Sequence, residues 1–297
     1  MEAVMKKLRG RAPAVLSLPS IILVLFVAIY PILFAFATSL TNRRLDVATY
    51  QFVLLQNYAD MLTSPLFWHA LGLTIKYTGL AVGIELLVGF GLAMLLNQGL
   101  RGRTIFRIIM LIPLMLPPAT GALMWKSLLD PANGWINYAL RQIGIEGPAW
   151  LGSTQTAIYT VIGIDVYHYA PFVALILLAG LQSIPRLQYE VAEVDGASPW
   201  QVFTMVTLPQ LKPTIYLVLL FRLVLSLNSY DVIQVATNGG PGDATTTLSF
   251  QAVQTGFRYY AFGQAGAYCI FLFMVIYYIS SKLFSRVYRS WAETPAG

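Results

Sequence analysis

Four groups of side chains in the sequence are able to do chemistry, and three of them lie inside long apolar runs. Asp165, His168, Tyr169 and Phe172 recur at i, i+3, i+4 and i+7, a spacing that sets them on one face of a helix. Asn228, Asp231 and Gln234 lie three residues apart, with Ser229 and Tyr230 between the first two. Two such stripes side by side suit a polyhydroxylated ligand, because polar groups bond its hydroxyls and aromatic faces cover its C–H surface. The same residues also have a purely structural reading, in which Asp165 and His168 bond each other and Asn228 joins helices. Glu85 and Arg222 carry opposite charges at similar depth in their apolar segments. They are expected to form a buried ion pair or to face a water-filled cavity, since an isolated charge at that depth is costly. Lys76 lies close enough to a segment end to extend its ammonium to the interface.

The fourth group is polar and lies between two apolar segments: Glu190-Val-Ala-Glu-Val-Asp-Gly-Ala-Ser-Pro-Trp, continuing to Leu208-Pro209 and Pro213. Tyr189 to Val194 has helical spacing, with Tyr189 and Ala192 on one face. Gly196 permits a turn that a side chain would hinder. Asp195 and Ser198 are cap candidates, and Pro199 suits the first turn of a second helix. That helix carries Trp200, Val202, Phe203 and Val206 and is expected to stop near Leu208-Pro209. Such a helix–turn–helix either offers an aromatic knob to a groove on a partner or lies on lipid as an interfacial helix.

The elements that must position these groups follow from composition. Of 297 residues, 57% are hydrophobic and 11% charged, against roughly 25% charged in soluble domains. The chain is therefore read as an all-α membrane protein. Segments near 14–39, 70–97, 105–128, 155–182, 212–236 and 260–286 are each long enough to cross a bilayer. They form a six-span domain over 14–290, between a segment 1–13 and a tail 287–297, with the polar loop at 186–213. The first apolar run is too long for a secretory signal and reads as a retained anchor, although Ala35-Phe-Ala37 keeps cleavage open. With both termini cytoplasmic, Lys6, Lys7, Arg9, Arg11, Arg101, Arg103, Arg107, Arg186, Lys212, Lys282, Arg286 and Arg289 lie inside. Only Arg43, Arg44, Lys126, Arg141 and Arg258 lie outside, in keeping with the positive-inside rule. Clustered at segment ends, the excess positive charge points to membrane lipid and not to nucleic acid. The third segment holds Pro113, Pro117 and Pro118 and is expected to be broken, either as a gate or as kinked packing.

Several chemistries are excluded. No phosphate loop of the form G-x-x-x-x-G-K-[ST] is present, so the chain does not hold ATP in that manner. No H-E-x-x-H or G-x-S-x-G occurs, and one cysteine with two histidines gives little for a metal site. Energised work would need either an ion gradient or a partner subunit.

Glu190-Val191-Ala192, then Gly196, then Val206, Leu208 and Pro209 resembles the EAA loop of ABC importer permeases. That signature is E-A-A, three residues, G, nine residues, I, one residue, L-P. Val191 stands for an alanine and Val206 for the isoleucine. The context Asp195-Gly196-Ala197-Ser198 is similar to the carbohydrate branch, as are Thr237-Asn-Gly-Gly-Pro and Pro171-Phe172 with Leu178-Ala-Gly-Leu181. The resemblance implies a loop inserted into a cytosolic ATPase subunit, with Glu190, Ala192, Asp195, Gly196, Ala197, Trp200, Phe203, Leu208 and Pro209 as its docking residues. It further implies a second, similar permease, two ATPase subunits that hold ATP and Mg, and an extracytoplasmic binding protein that delivers a carbohydrate. It places the chain in a prokaryotic cytoplasmic membrane, with no cofactor and no covalent catalysis of its own. An ion-coupled secondary transporter using Asp165, His168 and Asp231 is the alternative, and the inverted repeats it predicts are not evident between the two halves.

Overall fold

The computed structural model describes residues 2–98 and 102–293, with side chains over 17–98 and 102–289. Among the described residues the chain is helical, with one isolated bridge between Thr41 and Phe52. In order the helices are α1 (Glu2–Ser39), α2 (Gln56–Thr63), α3 (Pro65–Asn97), α4 (Arg103–Met115), α5 (Pro118–Leu128), α6 (Trp135–Gln142) and α7 (Ala157–Ser183). There follow α8 (Arg186–Val194), α9 (Pro199–Val202), α10 (Leu208–Leu227), α11 (Asp231–Ala236), α12 (Leu248–Val253) and α13 (Phe262–Glu293). Single π-turns cover Phe203–Thr207 and Gln254–Arg258.

Five stretches are long and apolar enough to cross a membrane: Ser17–Ser39, Pro65–Asn97, Ala157–Ser183, Pro199–Leu227 and Phe262–Arg289. A sixth is reached if α4 and α5, bent by 96° against each other, count as one. The bend falls at Leu116-Pro117-Pro118, where a residue before proline is driven to extended backbone and Pro118 opens the next helix. The expected 105–128 segment is thus two short helices, and Pro113 is carried within the first. The expected 212–236 segment is also divided, because α10 ends at Leu227 and α11 begins at Asp231.

The chain forms two compact units. One comprises residues 1–64 and 252–271. Here Asn57 Nδ2 donates to the carbonyls of Ser39 and Thr41 at 2.8 and 2.7 Å, closing the end of α1. Leu45 N bonds Tyr260 O, and Gly263 N bonds Arg43 O, both at 2.9 Å. Arg44 pairs with Asp46 at 2.8 Å, and its hydrogen bond holds that exposed carboxyl below the usual carboxylate range.

The second unit comprises residues 65–251 and 272–297. Its centre is the packing of α3 on α7, with α10 laid against both. Gly89 of α3 meets Ala170 and Val173 of α7, and Gly180 of α7 meets Leu211 and Thr214 of α10. Each glycine lets two backbones approach where a side chain would separate them. Tyr77, Val161, Ile233 and Phe250 form one apolar cluster, and Ala93, Val173, Leu177, Leu211 and Val218 form another. The loop before α12 is pinned to α3, where Leu248 N donates to Thr74 Oγ1 at 2.8 Å. Gly239 in that loop has φ +84° and lies against Phe250 and Thr246.

A methyl group on Gly89 would stand 2.6 Å from Val173 Cγ1, whereas one on Gly91 meets nothing within 4 Å. Gly89→Ala should therefore lose about 1–3 kcal/mol of stability by overpacking. Gly91→Ala should be neutral or gain up to about 1 kcal/mol. Thermal unfolding of the purified chain in detergent measures both, and equal effects would refute the close crossing.

Candidate functional site

The apolar interior of the larger unit holds a charge cluster contributed by three helices. Arg222 of α10 grips Glu85 of α3 through both Nε and Nη2, and Nη2 also donates to Asp165 Oδ2 of α7 at 2.9 Å. All three side chains are fully or almost fully buried. The guanidinium carbon stands 3.8 Å from the centre of the Tyr169 ring. Arg222 Nη1 has no hydrogen-bond partner among the described residues. Charges taken out of water persist only when paired and bonded, and a planar guanidinium can serve two carboxylates and an aromatic face together.

The cluster continues toward the end of α10. Ser226 Oγ donates to Thr78 Oγ1 at 3.3 Å, and the hydroxyls of Tyr77 and Ser229 lie 2.9 Å apart. Thr78 lies seven residues before Glu85, and Ser226 four after Arg222, so each shares a helix face with its charged neighbour. Those spacings were the available signal for two residues that the reading by sequence passed over.

Asp165 is engaged by Arg222, while the His168 ring meets the Tyr169 ring edge-on at 4.6 Å. An Asp165–His168 bond is therefore replaced by a bond between helices. Phe172 meets Phe221 edge-on at 6.4 Å. The second expected stripe is not one helical face, because the chain leaves the helix at Asn228. Asn228 is exposed and its amide donates to Val224 O at 3.0 Å. Tyr230 stacks on Phe250 and donates to Gln234 Oε1 at 3.0 Å. Asp231 is exposed in the first turn of α11, where the helix dipole favours a carboxylate. The structure thus brings Asp165, Tyr169 and Ser229 to the ion cluster, and leaves Asn228 and Asp231 on the accessible side of the break.

The polar loop is a separate assembly. After α8, Ala197 N bonds Ala192 O at 2.9 Å and Gly196 N bonds Glu193 O at 3.0 Å. These are the two bonds of a Schellman motif, with Asp195 as C-cap and Gly196 at φ +73°. Ser198 then caps α9, and Gln201 returns the bond in a capping box. Every turn between the two helices is consequently held by hydrogen bonds. Phe203 packs edge-on against Phe90 of α3 at 5.8 Å, which ties the loop to the helical core. Glu190, Val191, Val194, Trp200 and Met205 are exposed, with Trp200 at 71% and Val194 at 88%.

The second loop helix does not stop at Leu208-Pro209. It passes through the π-turn Phe203–Thr207 directly into α10, with Leu208 N bonding Phe203 O. Pro209 has no N–H for the Met205 carbonyl and its ring crowds that group, so the turn widens by one residue and the helix resumes. A cavity of about 500 Å³ lies beside this turn, lined by Met94, Asn97, Tyr189, Glu193 and Phe203 among others.

Residues 85–290 match the family described as the binding-protein-dependent transport system inner membrane component. The chain belongs to that family. The match begins at Glu85 of the ion cluster and encloses the whole capped loop. This transport component is 38% identical to a probable ABC transporter permease protein, y4oQ, of Sinorhizobium fredii, over 97% of this chain and 94% of the relative. It is 36% identical to the trehalose/maltose transport system permease protein MalF of Thermococcus litoralis, over 84% and 83%. A crystal structure of a bacterial ABC transporter that imports the acidic polysaccharide alginate shares its fold, with a TM-score of 0.83 at 22% identity over 99% of this chain and 100% of the other. The chain is a membrane permease, and the work of its family is transport, not covalent catalysis.

Replacing Arg222 with Met leaves two buried carboxylates without a counter-charge and should remove about 3–5 kcal/mol of stability. Glu85→Gln and Arg222→Gln together should cost less than the sum of the two alone. Unfolding of the two single variants and the double variant measures this coupling, and strict additivity would rule out the pair.

Proposed function

We propose that the chain is the permease subunit of an ATP-driven importer that moves a carbohydrate or sugar-like polyol delivered by an extracytoplasmic binding protein. The observation that carries this reading is the family match over residues 85–290, which spans both the ion cluster and the capped loop. The substrate class is supported by relatives named for trehalose and maltose, for sulfoquinovosyl glycerol and for sn-glycerol-3-phosphate, at 36%, 33% and 31% identity.

In this reading six spans place both termini in the cytoplasm, with α4 and α5 together as the third. The spans occupy 14–290, the coupling loop 186–213. That loop, through Glu190, Ala192, Asp195, Gly196, Ala197, Trp200, Phe203, Leu208 and Pro209, enters a cleft on one of two cytosolic ATPase subunits, which bind ATP and Mg. A second, homologous permease completes the pathway. The exposed Trp200 and Val194 support this docking, since an aromatic and aliphatic knob on a rigid loop fits a groove. Asn228 and Asp231 face the route of the ligand, with Ser229, Tyr230, Gln234, His168, Tyr169 and Phe172 around them. Hydroxyl recognition fits such a mixture of amides, carboxylates and rings.

The test is uptake of labelled sugar by cells or proteoliposomes carrying the full set of subunits. Gly196 stands at positive φ in open space, so a larger residue there strains the backbone without a clash. Gly196→Val should leave the chain inserted in the membrane yet abolish ATPase co-purification or uncouple hydrolysis from uptake. Normal docking together with normal uptake would overturn the assignment of the loop.

A further inference from the structure

A second cavity, of about 400 Å³, lies in the larger unit among Trp125, Trp150, Thr156, Tyr159, Thr160 and Gly163. Its wall is mostly aromatic and aliphatic, and three of its polar side chains are already committed. Trp150 Nε1 donates to Asn137 Oδ1 at 2.8 Å, and the hydroxyls of Thr156 and Thr160 donate to Trp150 O at 2.9 and 3.0 Å. Trp125 Nε1 is buried and has no hydrogen-bond partner among the described residues, which leaves one donor for an ester or carbonyl oxygen. A sugar in this cavity would leave most of its hydroxyls unbonded, which is unfavourable. A hydrocarbon chain loses nothing there.

The cavity begins at the N-terminal end of α7 and reaches Ile164, about 10 Å along a helix that is long and apolar enough to cross the membrane. This is the depth of a headgroup boundary and the first part of an acyl chain. At its edge the Lys76 ammonium stands 4.2 Å from the centre of the Tyr159 ring, exposed and with no ion-pair partner among the described residues. Gly163 leaves the floor open, since a methyl group built there meets nothing within 4 Å.

We infer that this cavity is a binding site for one anionic glycerophospholipid, with an acyl chain between Trp150, Tyr159 and Gly163 and the phosphate at Lys76. The pairing of an apolar slot with an exposed lysine at its edge favours that occupant over a zwitterionic lipid. The site is independent of the transported substrate.

The full-length chain, purified in mild detergent and mixed with equal phosphatidylglycerol and phosphatidylcholine of the same chain length, is examined by native mass spectrometry. One phosphatidylglycerol should stay bound at collision energies that strip the other lipids. Gly163→Leu should lose it by filling the slot, while Gly91→Leu, which adds the same bulk where nothing lies within 4 Å, should keep it. Lys76→Gln, a surface change that does not disturb the slot, should retain a lipid but lose about fivefold in preference for the anionic headgroup. Equal retention of the two lipids by the unaltered chain, or an unchanged adduct in Gly163→Leu, would overturn the site.

Discussion

Three helices of the larger unit meet on one guanidinium. Arg222 is charged at any accessible pH, so burying it obliges the surroundings to supply negative charge and acceptors. Glu85 and Asp165 do so from different helices, and the result fixes the rotation of α3, α7 and α10 about their axes. Apolar packing alone allows such helices to slide or turn at small cost, because lipid tails are as apolar as leucine. The glycines at the crossings set how near the helices come, and the ion cluster sets which faces meet. From there the Thr78–Ser226 and Tyr77–Ser229 bonds carry the same alignment up to the point where α10 ends.

That alignment matters because the chain changes character directly beyond it. Below the break are buried charges, and above it Asn228 and Asp231 are accessible. The opposite end of α10 runs without a gap through a π-turn into the capped loop. One helix therefore joins the loop to the polar break, and its rotation is held by Arg222 in its last third. The buried bonds of Arg222 oppose local slippage of this helix against its neighbours.

Parts of this arrangement could be read from residue types and spacing. The αL glycine, the Ser198 cap and Pro199 are local signals, and they act through bonds within a few residues of one another. Opposite charge at similar depth suggested Glu85 with Arg222, as a buried pair or as residues facing a water-filled cavity, and the structure has them paired. Asp165 was harder to place, because its i+3 neighbour His168 offered a nearer partner and the competing one lay 57 residues away. Choosing between them requires knowing which way α7 and α10 face. The end of α10 was hidden for another reason. Asn228-Ser-Tyr carries neither glycine nor proline, and the chain leaves the helix there through tertiary contacts such as Tyr77 with Ser229. Pro209 misled in the opposite direction: a residue that usually ends a helix is accommodated here by one widened turn.

The π-turn gives the spacing between Gly196 and Pro209 a meaning beyond distance. Each residue of an α-helix advances the direction of its side chain by about 100°, so the count of residues across the turn is a phase setting between the exposed knob at Trp200 and the buried guanidinium at Arg222. Adding or removing one residue there would keep every helix and every cap intact, yet point Trp200 a quarter-turn or more away. The loop and the core would each remain well formed, and they would be out of register with one another. In this protein the relative orientation of the two ends is an angle, and the number of residues across the turn sets it.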